Sequence, residues 1–105
     1  MQTTGAKLTS DDREVFASIF KDGKNARHDV PWQAFQLAME HFGFTIKSGD
    51  GSHWVFTPPA AWGAKMITFH QPHGTRMINA RIQDRFAKRL RRQYRWTAGT
   101  FRAKK

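Results

Sequence analysis

The chain contains no cysteine, no long apolar run, and only one acidic side chain in its last thirty residues. Without cysteine there is no disulfide framework, no cysteine-ligated zinc centre and no thiol nucleophile. No apolar stretch approaches the ~20 residues that a bilayer-spanning helix requires. The opening residues, MQTTGAKLTSDDR, lack the apolar segment of a secretory signal. The expectation is a soluble protein of the cytoplasm, with no membrane partner. The Lys-Arg-Leu-Arg-Arg run at 88–92 would serve nuclear import in a eukaryote, although a basic helix face produces the same string.

What is present fits one compact domain: 105 residues, 39% of them apolar and 25% charged. The expected division is a flexible start at 1–8, one domain at 9–96 with an extra helix at 9–22 and a core at 30–96, and a basic tail at 97–105. The formal net charge is +10, and its distribution is uneven. Residues 1–75 carry seven basic and seven acidic side chains, whereas residues 76–105 carry eleven basic ones against Asp84 alone. The whole excess lies in that last stretch. Such a block attracts polyanions, nucleic acid first among them.

Apolar periodicity orders the elements. Thr9 or Ser10 can cap a helix whose first turn holds Asp11, Asp12 and Glu14, and Val15, Phe16, Ile19 and Phe20 form its apolar stripe. Gly23 stops it, and GKNAR reads as a connector. Asp29 then stands as a cap with Pro31 in a first turn, and Trp32, Phe35, Met39 and Phe42 make a second stripe ending at Gly43. The period next becomes alternating. Phe44 to Lys47 and Ser52 to Thr57 read as a hairpin across Gly49-Asp50-Gly51, and Ala64 to Phe69 as a third strand. From near Met77, Ile78, Ile82, Phe86, Leu90 and Tyr94 recur every four residues, a long helix otherwise crowded with arginine and lysine. The expected fold class is α+β: a three-stranded antiparallel sheet with helices packed on one face, α-β-β-β-α, plus the extra N-terminal helix. That arrangement is that of the double-stranded-RNA-binding domain.

The most specific local signal is Gly43-Phe44, six intervening residues, then Gly51-Ser52-His53. The segment GFTIKSGDGSHWVF resembles the signature of the HicA-like mRNA interferase toxins, in which a glycine-aromatic pair ends the first helix and Gly-Ser-His opens the second strand. ITFHQPH resembles the family's third strand and its exit, and LRRQYRWT the end of its last helix. The resemblance spans roughly 30–97. It implies a double-stranded-RNA-binding-domain-like fold, ribonuclease activity on mRNA with His53 catalytic, and an antitoxin-like protein that covers the His53 face. Trp54 after the motif histidine, the apolar loop TPPAAWGAK, the very basic last helix and the N-terminal helix depart from the family's minimal pattern.

Side-chain alternation gives the same residues a physical reading. If Phe44, Ile46, Trp54, Phe56, Ile67 and Phe69 face the helices, then Lys47, His53, Val55, Met66, Thr68 and His70 share the open face. Imidazole titrates near neutral pH and can take or give a proton there. RNA carries its own nucleophile, the 2′-hydroxyl beside each phosphate, so cleavage requires only a base, an acid and cations about the phosphate. His53 is the expected proton-transfer group, with His70, His73 or water supplying the second transfer. Lys47, Ser52, Arg81, Arg85, Lys88, Arg89 and Arg92 are the expected RNA contacts, with Arg85, Arg89 and Arg92 sharing one helix face.

No cofactor and no metal are expected, because His70 and His73 lack cysteines or clustered carboxylates to complete a site. His41, off its helix stripe, is expected at the surface, His73 as a loop cap, and Trp62 in an exposed loop as a stacking or partner-contact residue. The competing readings are a non-catalytic RNA-binding module and an interaction domain for an acidic protein. No signal of oligomeric state is visible in the sequence.

Overall fold

In the computed structural model, residues 8–21, 28–72, 74, 76–97 and 100 are described. His73, the GKNAR connector, the first seven residues and most of the basic tail lie outside them. Three helices, α1 (Ser10–Ile19), α2 (Trp32–His41) and α3 (Ala80–Tyr94), accompany a three-stranded antiparallel sheet of β2 (Thr45–Ser48), β3 (His53–Thr57) and β4 (Ile67–His70), in spatial order β2-β3-β4. The class is therefore α+β, and the α2-β2-β3-β4-α3 order follows the periodicities.

Both flanking helices lie on one face of the sheet. Phe35 of α2 meets Phe56 and Phe69 at ring separations of 5.5 and 5.4 Å, and Phe86 of α3 meets Phe69 at 4.4 Å. All four rings are buried, as are Trp32, Met39 and Leu90 around them. The alternation expected for the sheet holds, with Phe56, Ile67 and Phe69 inward and Lys47, His53 and His70 on the opposite, exposed face.

The N-terminal helix makes its main contacts with the other two helices. It lies across α2 and α3, where Phe16 packs at 6.0 Å from Phe42 and 6.2 Å from Trp96. Thr9 caps it: its side chain accepts from Asp12 N–H, and the Asp12 carboxylate accepts from Thr9 N–H, a reciprocal capping box. Asp12 is only 3% exposed because the same carboxylate reaches Nδ1 of His41 at 2.6 Å. His41 is thus half-buried and paired with α1 rather than free on the surface. A second polar fastening sits deeper. Gln83 of α3, wholly buried, donates from Nε2 to His28 O (2.8 Å) and Ile78 O (2.7 Å) and accepts from Ser18 Oγ at 2.7 Å. Every polar atom of that amide has a partner, as burial requires.

Three boundaries differ from the periodicity reading. Val30–Pro31 (β1) and Met77–Ile78 (β5) pair as a two-stranded antiparallel ladder, so the last helix starts at Ala80, where Asn79 Oδ1 accepts from Ile82 N–H. The same ladder replaces the expected Asp29 cap. Pro31 occupies the cap position of α2 without a side-chain hydrogen bond, and Trp32 N–H donates to Arg76 O at 2.9 Å. The third strand begins at Ile67, not Ala64, because the carbonyls of Lys65 and Met66 are taken by Gln93 and Tyr94 of α3. Trp62 also departs from expectation. It folds back to 5.9 Å from Phe42 and 5.4 Å from Phe44, in edge-to-face contacts that use its ring as core rather than as an outward platform. Among the described residues no helix is long and apolar enough to cross a membrane.

Candidate functional site

The glycine-aromatic and Gly-Ser-His pieces of the motif have different tasks. Gly43 holds φ at 118°, and a Cβ there would stand 2.9 Å from Pro59 Cγ. The position needs glycine for both backbone and space. Phe44 is buried in the aromatic cluster. Gly51, at φ 59°, turns the hairpin, which closes through Gly49 N–H to His53 O (2.9 Å) and His53 N–H to Asp50 O (3.0 Å). His53 is thereby fixed at the start of β3, on the open face.

Directly across the ladder from His53 is His70. Gln71 N–H donates to Ser52 O, and Thr68 O is turned outward to receive Arg89. The 53–70 pair is therefore a non-hydrogen-bonded one, the type in which opposing side chains approach closest. The imidazole rings are 4.0 Å apart between centroids, inclined at 47°. Both residues are exposed. Ser52 Oγ lies 3.3 Å from His70 Nδ1 and orients that ring. Among the described residues neither imidazole pairs with a carboxylate, and no three metal-ligating side chains cluster.

A groove of about 450 Å³ opens between this end of the sheet and α3. Ser52, His70 and Gln71 form one wall, Arg85 and Arg89 the other, with Ile82 and Phe86 as an apolar floor. His53 is not on the groove wall and meets it through His70. Arg85 and Arg89 are one helical turn apart and present two guanidinium groups to one stretch of backbone or phosphate. Arg89 also serves the fold. It donates from Nη1 to Thr68 O and stands 4.9 Å from the Phe69 ring centroid. This partial burial lowers its pKa from the ordinary arginine value, an effect that the nearby Tyr94 oxygen offsets in part. Burial likewise raises the Tyr94 phenol, tempered by the Gln93 hydrogen bond and by Arg89. Tyr94 is therefore a neutral donor, and its hydroxyl donates to Lys65 O at 2.6 Å.

The other expected contacts are dispersed. Lys47 pairs across from Val55 and shares the open face with the histidines, but lies outside the groove. Arg81 and Arg92 are exposed on α3 away from its walls. Lys88 lies on the opposite flank, in a depression beside α1 with Asp84, Arg91 and Lys21. Gln71 and Arg76 were not singled out by motif reading, yet both line depressions that adjoin the histidine end of the sheet. The usable signal for Gln71 was register: one step past the 53–70 pair, it falls opposite Ser52.

No family model matches the chain, and neither do curated proteins or solved structures.

Proposed function

We propose that this protein is a metal-independent endoribonuclease resembling the HicA-type mRNA interferases. Its double-stranded-RNA-binding-domain-like core would present one strand of RNA to the His53–His70 pair. The observation that carries this reading is the contact of two exposed imidazoles, one of which, His70, lines a groove with Arg85 and Arg89. The α2-β2-β3-β4-α3 order and the basic face of α3 support it.

In the proposed step the 2′-oxygen attacks the adjacent phosphorus, the O2′–P bond forms and the P–O5′ bond breaks. The products are a 2′,3′-cyclic phosphate and a 5′-hydroxyl. In-line displacement sets the entering and leaving oxygens on opposite sides of phosphorus, and two rings in mutual contact cannot straddle it. One imidazole therefore accepts the 2′-hydroxyl proton and the leaving O5′ takes its proton from water. His53, the motif residue, is assigned the transfer. His70, held by Ser52, orients His53 and lies nearest the phosphate, which Arg85 and Arg89 neutralise. An antitoxin-like protein would inhibit by covering the open face that carries His53.

The test is cleavage of labelled RNA in chelator by the wild type and by His53→Ala. A general base contributes ~10²–10⁴-fold, so the variant is expected to lose about that factor. Equal cutting by both proteins overturns the assignment of His53. Binding without cutting by either protein replaces the nuclease with a non-catalytic RNA-binding module.

A further inference from the structure

A second depression, of about 280 Å³, lies beside the groove where the first turn of α2 meets the end of the sheet. Trp32 and Trp54 line it with ring centroids 6.4 Å apart, and the amides of Gln33, Gln36 and Gln71 and the side chain of Arg76 complete it. Gln71 belongs to the walls of both depressions, so the two adjoin at that side chain. We infer that this depression is a pocket for one unpaired nucleobase of the RNA strand whose phosphate lies on Arg85 and Arg89; the inference rests on the RNA reading above and specifies how the strand is held.

Its chemistry suits a base better than a peptide. Indole faces stack on any base, and side-chain amides of glutamine form paired hydrogen bonds to base edges. Trp54 Nε1 donates to Gln71 Oε1 at 3.2 Å, which leaves the Gln71 amide N–H groups as donors. The Trp32 indole Nε1–H, in a residue 2% exposed, has no acceptor among the described residues. Arg76 adds positive charge at the edge shared with the depression around Ser52. Its backbone is fixed in the left-handed region, φ 59°, with its carbonyl bonded to Trp32 N–H. A non-glycine residue held there carries strain of the kind that collects at ligand sites. A base inside an A-form duplex is stacked, and its major-groove edge is beyond side-chain reach. The pocket therefore selects single-stranded or looped RNA, even though the core resembles a duplex-binding domain.

The experiment follows ¹H–¹⁵N spectra of the full chain titrated with 2′-fluoro RNA hexamers, which lack the nucleophile, and with hexamers of equal charge carrying an abasic site at each position in turn. The Trp54 indole signal and the side-chain amide signals of Gln33, Gln36 and Gln71 are expected to move with the complete strand. One abasic position should abolish those shifts and weaken binding about 5- to 100-fold. The double variant Gln33→Leu/Gln36→Leu, at two sites outside the buried core, should bind complete and abasic strands alike. If the Arg85 and Arg89 signals move equally with every strand while the indole and glutamine signals stay fixed, the pocket is refuted and the RNA reading survives. If no signal moves with any strand, both fall. Movement of the pocket signals with an acidic peptide but not with RNA would also overturn the base assignment.

Discussion

Two pairs centred on histidine, one where the helical end of the molecule is fastened and one at the sheet end, behave as different materials. At the helical end His41 meets a carboxylate. Asp12 is buried, accepts from Thr9 N–H, and reaches His41 Nδ1 at 2.6 Å. That pair fastens the capped start of α1 to the end of α2. At the sheet end His53 meets another imidazole at 4.0 Å, that of His70, which has a serine hydroxyl at hand and shares a groove with two arginines. A carboxylate oxygen already shared between a helix cap and an imidazole has its lone pairs committed. Two imidazoles on an open strand face retain ring nitrogens for a substrate. The contrast teaches that histidine becomes a candidate for chemistry here through nearby cations and the lack of an acid partner among the described residues, not through burial.

The comparison breaks most sharply on activity. His53→Ala is expected to lower cleavage by ~10²–10⁴-fold while leaving the melting temperature nearly unchanged, since an exposed strand residue contributes little to packing. His41→Ala is expected to leave cleavage unchanged at temperatures well below its melting point. A His41 variant that loses activity while remaining folded would place chemistry at the wrong end.

Stability reverses the order. Asp12→Ala removes both the acceptor for Thr9 N–H and the partner of His41. Loss of a cap and of a charged hydrogen bond costs about 1–3 kcal/mol, so the thermal midpoint should fall by about 5–20 °C. Calorimetry on Asp12→Ala and His53→Ala together gives the contrast directly: a large shift for the first and almost none for the second.

The sheet end was far more legible in sequence than the helical end. The hairpin turn at Gly49-Asp50-Gly51 is local, and alternation then fixes which side chains share a face. The placing of His53 with Lys47 and His70 followed from those two facts. The Asp12–His41 contact joins residues 29 positions apart on different helices. No period encodes it, so His41 looked like a free surface residue. The two-residue strands β1 and β5 are too short for any period to register, which is why apolar spacing starts the last helix near Met77 and makes Asp29 a cap. Trp62 illustrates the same limit. Its loop is flanked by Pro58, Pro59 and Gly63, all signals of exposure, yet Phe42 and Phe44 offer an aromatic surface that only the folded chain brings near. On α3 the spacing groups Arg85, Arg89 and Arg92; Arg85 and Arg89 line the groove, whereas Arg92 is exposed outside it and Lys88 lies beside α1.

That last division sharpens the comparison through salt. If about five phosphates are neutralised, log K should fall with log salt at a slope of magnitude ~3.5–4.5. Arg85→Ala should reduce that magnitude by ~0.7–0.9, the contribution of one phosphate. Lys88→Ala, beside Asp84 and the helical end, should leave it within error. Equal effects from the two would mean that RNA follows the whole basic face of α3 rather than the groove.

The smallest expected effect is the most discriminating for the histidine pair itself. Ser52 Oγ holds His70 Nδ1 at 3.3 Å in an exposed position, where a hydrogen bond contributes only ~0.5–1.5 kcal/mol. Ser52→Ala should therefore slow cleavage about 2- to 10-fold with little change in stability or in RNA affinity. The loss should appear in kcat rather than KM, because the hydroxyl orients a ring and adds no charge near the phosphate. Combined with His70→Ala, the serine change should have no further effect, since the ring it orients is gone. Additive losses in that double variant would show that Ser52 touches RNA directly and that the orientation of His70 comes from the strand register alone.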